Sequence, residues 1–373
     1  MDTGFLPFTR PDIEPSTIEG VAEVLRSGWL ASGPWVERFE QALSDYLGGR
    51  PVRVVTSGTA ALELALAVAG IGPGDEVLVP AMTFAATANV VVRAGARPVF
   101  VDVDPVSRNL LVEDAERAIT PRTRAIMPVH FSGLPADMAA IRTLARQHHL
   151  RIIEDAAHAI GSRIEGRPVG STDDLACFSF HPNKNMTSIE GGAIVLNDAD
   201  EAERVERLRF HGIRRTPEGM IDIVEAGGKY NLPDVNARIG HDQLGRLDAF
   251  NTKRRRLAGH YFSILERLAL PVTLPARGDE GHSWHMFQLL IDFDALRLTR
   301  PGFIAAMRER GIGIGVHYPA LHETTLYRGY NPRPCPNASR VGRETVTLPL
   351  FPAMETTDVE RVCTALSEVL RGS

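Results

Sequence analysis

Apolar runs rich in β-branched residues recur along the first half of the chain, and helical patterns separate several of them. These runs predict seven strands: Val52–Val55, Glu76–Val79, Arg97–Val103, Ala125–Val129, Arg151–Ile153, Leu175–Phe178 and Ala193–Leu196. Strands that alternate with helices indicate an α/β fold with one wide sheet. The runs are nearly continuously apolar rather than alternating, so we expect helices on both faces of the sheet.

Helical and strand patterns also flank this block. Before it, Ser16–Ser27 has helical periodicity, and after it Leu232–Lys253 reads as a helix with Pro233 in its first turn. The later segments predict a helix at Arg254–Leu268, a strand at Phe287–Phe293, and helices at Pro301–Glu309 and Thr357–Leu370. We therefore predict a large domain over residues 1–250 and a smaller C-terminal α/β domain over residues 251–373.

Composition narrows the class of protein. The 373 residues are 44% hydrophobic, which is ample for a buried core. The formal net charge of −5 disfavours a nucleic-acid partner. No apolar stretch is long enough for a membrane span, and no signal-peptide pattern opens the chain. The three cysteines have neither disulfide-framework nor zinc-site spacing, so we expect a reducing cytoplasm.

Two segments carry residues for amine and carboxylate chemistry. Lys184 follows the predicted strand at Leu175–Phe178, and Asp155 ends the one at Arg151–Ile153. A lysine amine can form a Schiff base with the aldehyde of pyridoxal phosphate, while a carboxylate keeps the pyridine nitrogen protonated. Taken singly, Lys184 could be a solvated surface charge and Asp155 a helix N-cap.

Further residues fit such a cofactor. Gly58 and Thr59 open a helix after a strand, where free amides can bind an anion, although capping by Ser57 or Thr59 would explain the same pattern.

Ser179 precedes Lys184 by five residues and can donate to a phosphate. Phe84 could stack on a pyridine ring or be a core aromatic. His158 could orient Asp155, touch the cofactor or be an ordinary, partly buried histidine.

Taken together, these segments resemble the DegT/DnrJ/StrS family of sugar aminotransferases, and the resemblance covers nearly the whole chain. The matching motifs are Gly28–Gly33, Ser57–Ala60, Gly74–Val77, Glu154–His158, Phe178–Gly192, Lys229–Asp234, Ser283–His285 and Leu348–Phe351. The resemblance implies the aspartate-aminotransferase-like fold of fold-type I pyridoxal phosphate enzymes, with a seven-stranded sheet in the large domain.

The resemblance also implies roles for individual residues. Lys184 would be the Schiff-base lysine and proton carrier, Asp155 would face the pyridine nitrogen with His158 beside it, and Phe84 would stack on the ring. Gly58, Thr59 and Ser179 would hold the phosphate. Asn231 would reach the phosphate of a neighbouring subunit, which implies a homodimer with shared active sites; its alternative is a turn asparagine.

Within the family, Leu6–Phe8, Phe180–Asn185 and Lys229–Asn236 are most similar to the enzymes that make UDP-4-amino-4-deoxy-L-arabinose. This implies transfer from L-glutamate to a nucleotide-linked 4-keto sugar such as a UDP-4-keto-pentose, for cell-surface glycan or lipid A synthesis. We place the residues nearest the substrate at Trp29, His181, His317 and Tyr318. The segment His317–His322 departs from the arabinose enzymes, and Phe84 stands where the family often has Trp or Tyr.

Three alternatives remain open at this stage. One is amination at another keto position, such as C3. The second is a sugar dehydratase, although family dehydratases carry histidine where this chain has Lys184. The third belongs to another class, a regulatory or binding protein that keeps the fold without turnover.

Overall fold

The computed structural model describes residues 4–330 and 332–372. Its strands are β1 (Val52–Val55), β2 (Glu76–Pro80), β3 (Arg97–Val101), β4 (Thr123–Ile126), β5 (Arg151–Asp155), β6 (Arg163–Ile164), β7 (Arg167–Pro168), β8 (Leu175–Ser179), β9 (Gly192–Val195), β10 (Ile213–Arg215), β11 (Ile221–Ile223), β12 (Phe287–Leu290) and β13 (Thr345–Leu348).

The α-helices are α1 (Pro15–Ser27), α2 (Pro34–Tyr46), α3 (Gly58–Val68), α4 (Ala85–Arg93), α5 (Val112–Ala118), α6 (Met138–His148), α7 (Ala199–Leu208), α8 (Asp234–Leu244), α9 (Leu247–Leu268), α10 (Arg300–Glu309), α11 (Thr325–Arg328), α12 (Pro336–Glu344) and α13 (Thr356–Arg371).

Seven strands form the central sheet in the order β1-β9-β8-β5-β4-β2-β3. All seven predicted strands are confirmed, with ends shifted by a few residues. The pairs from β3 to β8 are parallel, and only β9 runs against its neighbours. A chain returning without a crossover helix must pair antiparallel, so the connection from β8 to β9 is a loop at one edge of the sheet. That loop contains Lys184.

Helices cover both faces of the sheet, as the continuous apolar runs predict. On one face α3 and α4 pack on the sheet through a cluster that includes Leu64, Val77 and Val90. On the other, Phe39 of α2 and Phe178 of β8 belong to a second buried cluster. Because the sheet is enclosed, polar side chains collect at the carboxyl ends of the parallel strands, where ligands bind in open α/β sheets.

The C-terminal part has its own core around α9, α10, α13 and the antiparallel pair β12–β13. The predicted helix at Leu232–Lys253 is wrong in one respect, since it ends at Leu244 and α9 begins at Leu247. Gly245 lies at this break, and glycine is a poor helix former. Residue 250 lies inside α9, so the domain boundary stays a prediction. No helix in the described ranges is both long and apolar enough to cross a bilayer.

Asp234, from the Lys229–Asp234 motif, has a structural role. Its fully buried carboxylate accepts hydrogen bonds from the amides of Gly33, Trp35 and Val36, at distances of 2.7, 3.2 and 3.3 Å. These amides belong to the first turn of α2, which has no capping side chain of its own. A residue two hundred positions away therefore supplies the cap.

We expect Asp234→Ala to lower the free energy of unfolding by about 2 kcal/mol, because it leaves the α2 amides without their charged acceptor. Denaturant unfolding measures the change. Asp242→Ala is the matched control: it removes a helix-surface ion pair with Arg238, which is worth at most about 0.5 kcal/mol. Equal losses in the two variants would contradict the assignment.

Candidate active site

A cavity of about 300 Å³ lies at the carboxyl edge of the sheet. Its walls come from the segments that follow β1, β2, β4, β5 and β8, together with the loop before α11. Ten of the twelve predicted site residues line it: Gly58, Thr59, Phe84, Asp155, His158, Ser179, His181, Lys184, His317 and Tyr318. Residues spread over 260 positions of the chain thus meet in one place.

One end of the cavity is formed by the start of α3 and by Ser179, an arrangement of amides and a hydroxyl that can bind an anion. The first turn of α3 points its amides there, and Ser57 caps the helix by accepting from the amide of Ala60 at 3.1 Å. The capping interpretation of Ser57 is therefore correct, and the amides of Gly58 and Thr59 remain for a ligand. A Cβ on Gly58 would lie 2.8 Å from the Cβ of Ser179, so only glycine lets α3 approach β8 this closely.

Asp155 ends β5 on the cavity wall with 5% of its surface exposed. Its Oδ2 accepts from the Thr87 hydroxyl at 2.8 Å, and its Oδ1 accepts from the amide of Ala157 at 3.2 Å. Burial raises the pKa of Asp155, while the hydrogen bond from Thr87 opposes that shift most strongly, followed by those from Ala157 and the charge of Lys184. Among the described residues Thr87 and Ala157 bond this carboxylate, and the role of His158 in orienting it stays a prediction.

Lys184 lies in the loop between β8 and β9, where its amide bonds to the carbonyl of His181. The chain contains only three lysines. Lys229 is exposed, with its ammonium 4.3 Å from the centre of the Phe210 ring, and Lys253 forms a 2.6 Å ion pair with Glu355. Lys184 alone faces the cavity. Burial lowers its pKa to about 8, partly opposed by the charge of Asp155.

His158 forms part of an aromatic stack. Its ring lies 4.5 Å from that of His285, and its Nε2 is 3.2 Å from the hydroxyl of Tyr318. Burial holds the pKa of His158 well below its usual range, so the ring is neutral near pH 7. The amide of Ser132 points at Nδ1 over 3.4 Å, which assigns the ring proton to Nε2 and makes Tyr318 the acceptor.

Among the predicted site residues, Phe84 lines the cavity, whereas Trp29 and Asn231 lie outside it. Phe84 lines the cavity, is 56% exposed and lies 5.5 Å from the Tyr318 ring, so it is not a core aromatic. Trp29 and Asn231 do not line the cavity of their own chain. Trp29 is exposed, and Asn231 donates to the hydroxyl of Ser32 at 2.8 Å. Their proposed contacts with substrate and phosphate therefore stay predictions.

The residues that hold the cavity-lining side chains and segments in position were not predicted from the sequence. Thr83 and Thr87 are buried beside Asp155, and their four-residue spacing at the start of α4 is the one signal that could have drawn attention to them. The side-chain amide of Gln288 donates to the carbonyl of His317 at 2.6 Å and fixes the segment that carries Tyr318. Buried Arg108 donates to the Gln288 side-chain oxygen at 2.9 Å. No local sequence pattern predicts the contact between Arg108 and Gln288.

Comparison with known proteins identifies the family. The sequence model of the DegT/DnrJ/EryC1/StrS aminotransferase family matches residues 11–367. The solved structure of DesV from S. venezuelae is 36% identical, with a TM-score of 0.90 and 98% of each chain covered. PseC from Helicobacter pylori, an aminotransferase involved in pseudoaminic acid biosynthesis, is 26% identical with a TM-score of 0.93, covering 99% of this chain and 100% of its own.

A third structure, NtdA from Bacillus subtilis with bound pyridoxamine phosphate, is 31% identical and has a TM-score of 0.86. It covers 96% of this chain and 83% of its own. The cavity described above fits such a cofactor. It offers amides and hydroxyls for a phosphate at Gly58, Thr59 and Ser179, a carboxylate for a ring nitrogen at Asp155, and one amine for an aldehyde at Lys184.

We expect the rate at which the cofactor-free protein takes up pyridoxal phosphate to rise with pH and to level off above about 8, because only the neutral amine attacks an aldehyde and Lys184 has a pKa near 8. Stopped-flow absorbance measures this rate. Asp155→Asn should move the midpoint to lower pH, since the Asp155 charge raises the pKa of Lys184. Lys253→Ala is the control and should not move it. A wild-type midpoint near 10.5, the value of an ordinary lysine, would contradict the assignment.

Proposed function

Because the chain belongs to the DegT/DnrJ/EryC1/StrS family and is a pyridoxal-phosphate-dependent sugar aminotransferase, we propose that it transfers the amino group of L-glutamate to a nucleotide-linked 4-keto sugar, such as a UDP-4-keto-pentose. The product would enter cell-surface glycan or lipid A synthesis. One observation carries the proposal: the only lysine of the cavity faces a buried carboxylate, with an anion site beside them.

The cofactor, when bound, supplies an electron sink and carries the amino group between the two half-reactions. Lys184 Nζ moves the proton at the reacting carbon, and its lowered pKa gives it a larger neutral fraction than an ordinary lysine has. Asp155 would accept a hydrogen bond from the protonated ring nitrogen. The α3 amides with Thr59 and Ser179 would hold the phosphate, while Phe84 and His158 would confine the ring.

We assign contacts with the sugar to Tyr318, His181 and His317, which line the cavity. The Nε2 proton of His158 occupies a lone pair of Tyr318, which leaves the Tyr318 hydroxyl proton free to bond a substrate oxygen. His181 and His317 offer further ring nitrogens there. Burial lowers the pKa of His317 to about 4, so this ring is neutral at working pH and suits uncharged sugar hydroxyls.

The negative charges of the proposed substrates need basic side chains from outside the cavity of the same subunit. Apart from its histidines, the cavity has Lys184 as its only basic side chain. The β10–β11 hairpin carries the exposed basic residues Arg214 and Arg215, and the apolar Met220, Ile221 and Ile223 are each at least 60% exposed. We propose that a second copy buries these apolar side chains, and that the dimer brings Asn231 and the hairpin cations to the partner's site. The enzyme would work in the cytoplasm, where its three buried thiols stay reduced.

Lys184→Ala should abolish transfer of the amino group from glutamate to every keto sugar, because Lys184 is the one lysine among the described residues that line the cavity of its own subunit. The assay follows 2-oxoglutarate release with a panel of UDP- and dTDP-linked 4-keto and 3-keto sugars. Lys253→Ala should keep wild-type activity. The substrate proposal predicts the highest kcat/KM with a UDP-linked 4-keto-pentose, and a higher value with a 3-keto sugar would contradict it. Turnover by Lys184→Ala would refute the mechanism.

The shared site is tested by mixing two deficient subunits. Lys184→Ala lacks the amine, and Asn231→Ala lacks the proposed contribution to the partner. If sites are shared, refolding the two variants together should restore activity, because one of the two sites in each heterodimer then has both residues. A mixture no more active than its separate parents would show that Asn231 does not act across the interface.

A further inference from the structure

Two threonines connect Asp155 to the start of α4. The Thr87 hydroxyl donates to Asp155 Oδ2 at 2.8 Å, and the Thr83 oxygen lies 2.8 Å from that of Thr87. Thr83 is 1% exposed and Thr87 is fully buried, so water does not compete for these bonds. Thr83 also lies on the cavity wall, whereas Thr87 is behind it.

The chemistry of the groups fixes the direction of both hydrogen bonds. The single hydroxyl proton of Thr87 is donated to Asp155 Oδ2. Thr87 has no second hydroxyl proton, and Thr83 must therefore donate to it. Both protons are oriented toward Asp155, and the Thr83 oxygen presents only lone pairs to the cavity.

This arrangement selects one charge state of Asp155. Hydrogen bonds donated to a carboxylate favour its ionised form, and a chain of such bonds in a buried site strengthens each member. Oδ2 is occupied by Thr87, and Oδ1 accepts only from the amide of Ala157. The ring nitrogen of the cofactor needs an ionised partner, since a protonated carboxyl group cannot stabilise a pyridinium charge.

We propose that Thr83 and Thr87 are positioning residues that form a one-way hydrogen-bond relay, keeping Asp155 ionised and leaving the second lone pair of Oδ1 for the cofactor's ring nitrogen. This inference rests on the proposed role of Asp155. Its consequence is that the relay sets how strongly the protein retains cofactor as the pH falls.

Other titratable groups near Asp155 do not reproduce this effect. Lys184 and His130 act on it as charges, and the Cys177 thiol and Tyr318 hydroxyl lie close enough to be affected by its charge. Burial raises the pKa of Cys177 and Tyr318, so both are neutral in the acid range. His130 is bonded to Glu154 at 2.7 Å. These groups are unchanged in the threonine variants below, so a difference between those variants comes from the threonine that is replaced.

The experiment measures pyridoxal phosphate affinity and the pH at which half the bound cofactor is lost. Thr87→Val keeps the shape of the side chain but removes the donor, and we expect about tenfold weaker binding and an acid midpoint about one pH unit higher. Thr83→Val should shift both in the same direction by less. Thr87→Ser should restore wild-type behaviour. Thr123→Val, at the opposite end of the sheet, removes a hydroxyl that accepts from Thr120 and should change neither value.

Wild-type affinity and an unchanged acid midpoint in Thr87→Val would overturn the relay. So would equal losses in Thr87→Val and Thr123→Val, because these would reflect general destabilisation. The Asp155→Asn variant distinguishes a failure of the relay from a failure of the proposed role of Asp155. If it loses cofactor while Thr87→Val does not, only the relay fails; if it retains cofactor with an unchanged acid midpoint, the proposed role of Asp155 fails as well.

Discussion

The active site depends on holding an amine and a carboxylate in the same buried cavity. Burial alone would drive both groups to their neutral forms, because charge is costly away from water. Burial lowers the pKa of Lys184 to about 8, which favours the neutral amine. Asp155 is pushed the same way, but donated hydrogen bonds oppose the shift. One group is thus readied for nucleophilic attack while the other can remain charged.

The rest of the fold provides the conditions for this arrangement. Parallel strands bring Asp155 and Ser179 to one edge, and the reversal into β9 places the Lys184 loop above them. Glycine at position 58 lets α3 approach β8 so closely that its first amides and Ser179 lie side by side on the cavity wall. Contacts such as Asp234 with α2 stabilise this framework from segments far away in the sequence.

Much of this could be predicted from the sequence. The seven strands follow from continuous apolar runs, and Lys184, Asp155 and Ser179 follow from their positions at strand ends. The Thr87–Asp155 and Arg108–Gln288 contacts could not, because they join elements that are adjacent only after folding. The helix break at Gly245 was missed because a single glycine is tolerated in many helices. The scarcity of lysine was available in the sequence and would have strengthened the assignment of Lys184.

The most direct test of the central claim is chemical trapping of the cofactor on the protein. The holoenzyme is reduced with borohydride and digested, and the peptides are analysed by mass spectrometry, with the three lysines as the candidate sites. We expect the pyridoxyl mass on the peptide that contains Lys184 and on neither of the peptides that contain Lys229 and Lys253. A label on either of those, or full labelling in Lys184→Ala, would contradict it.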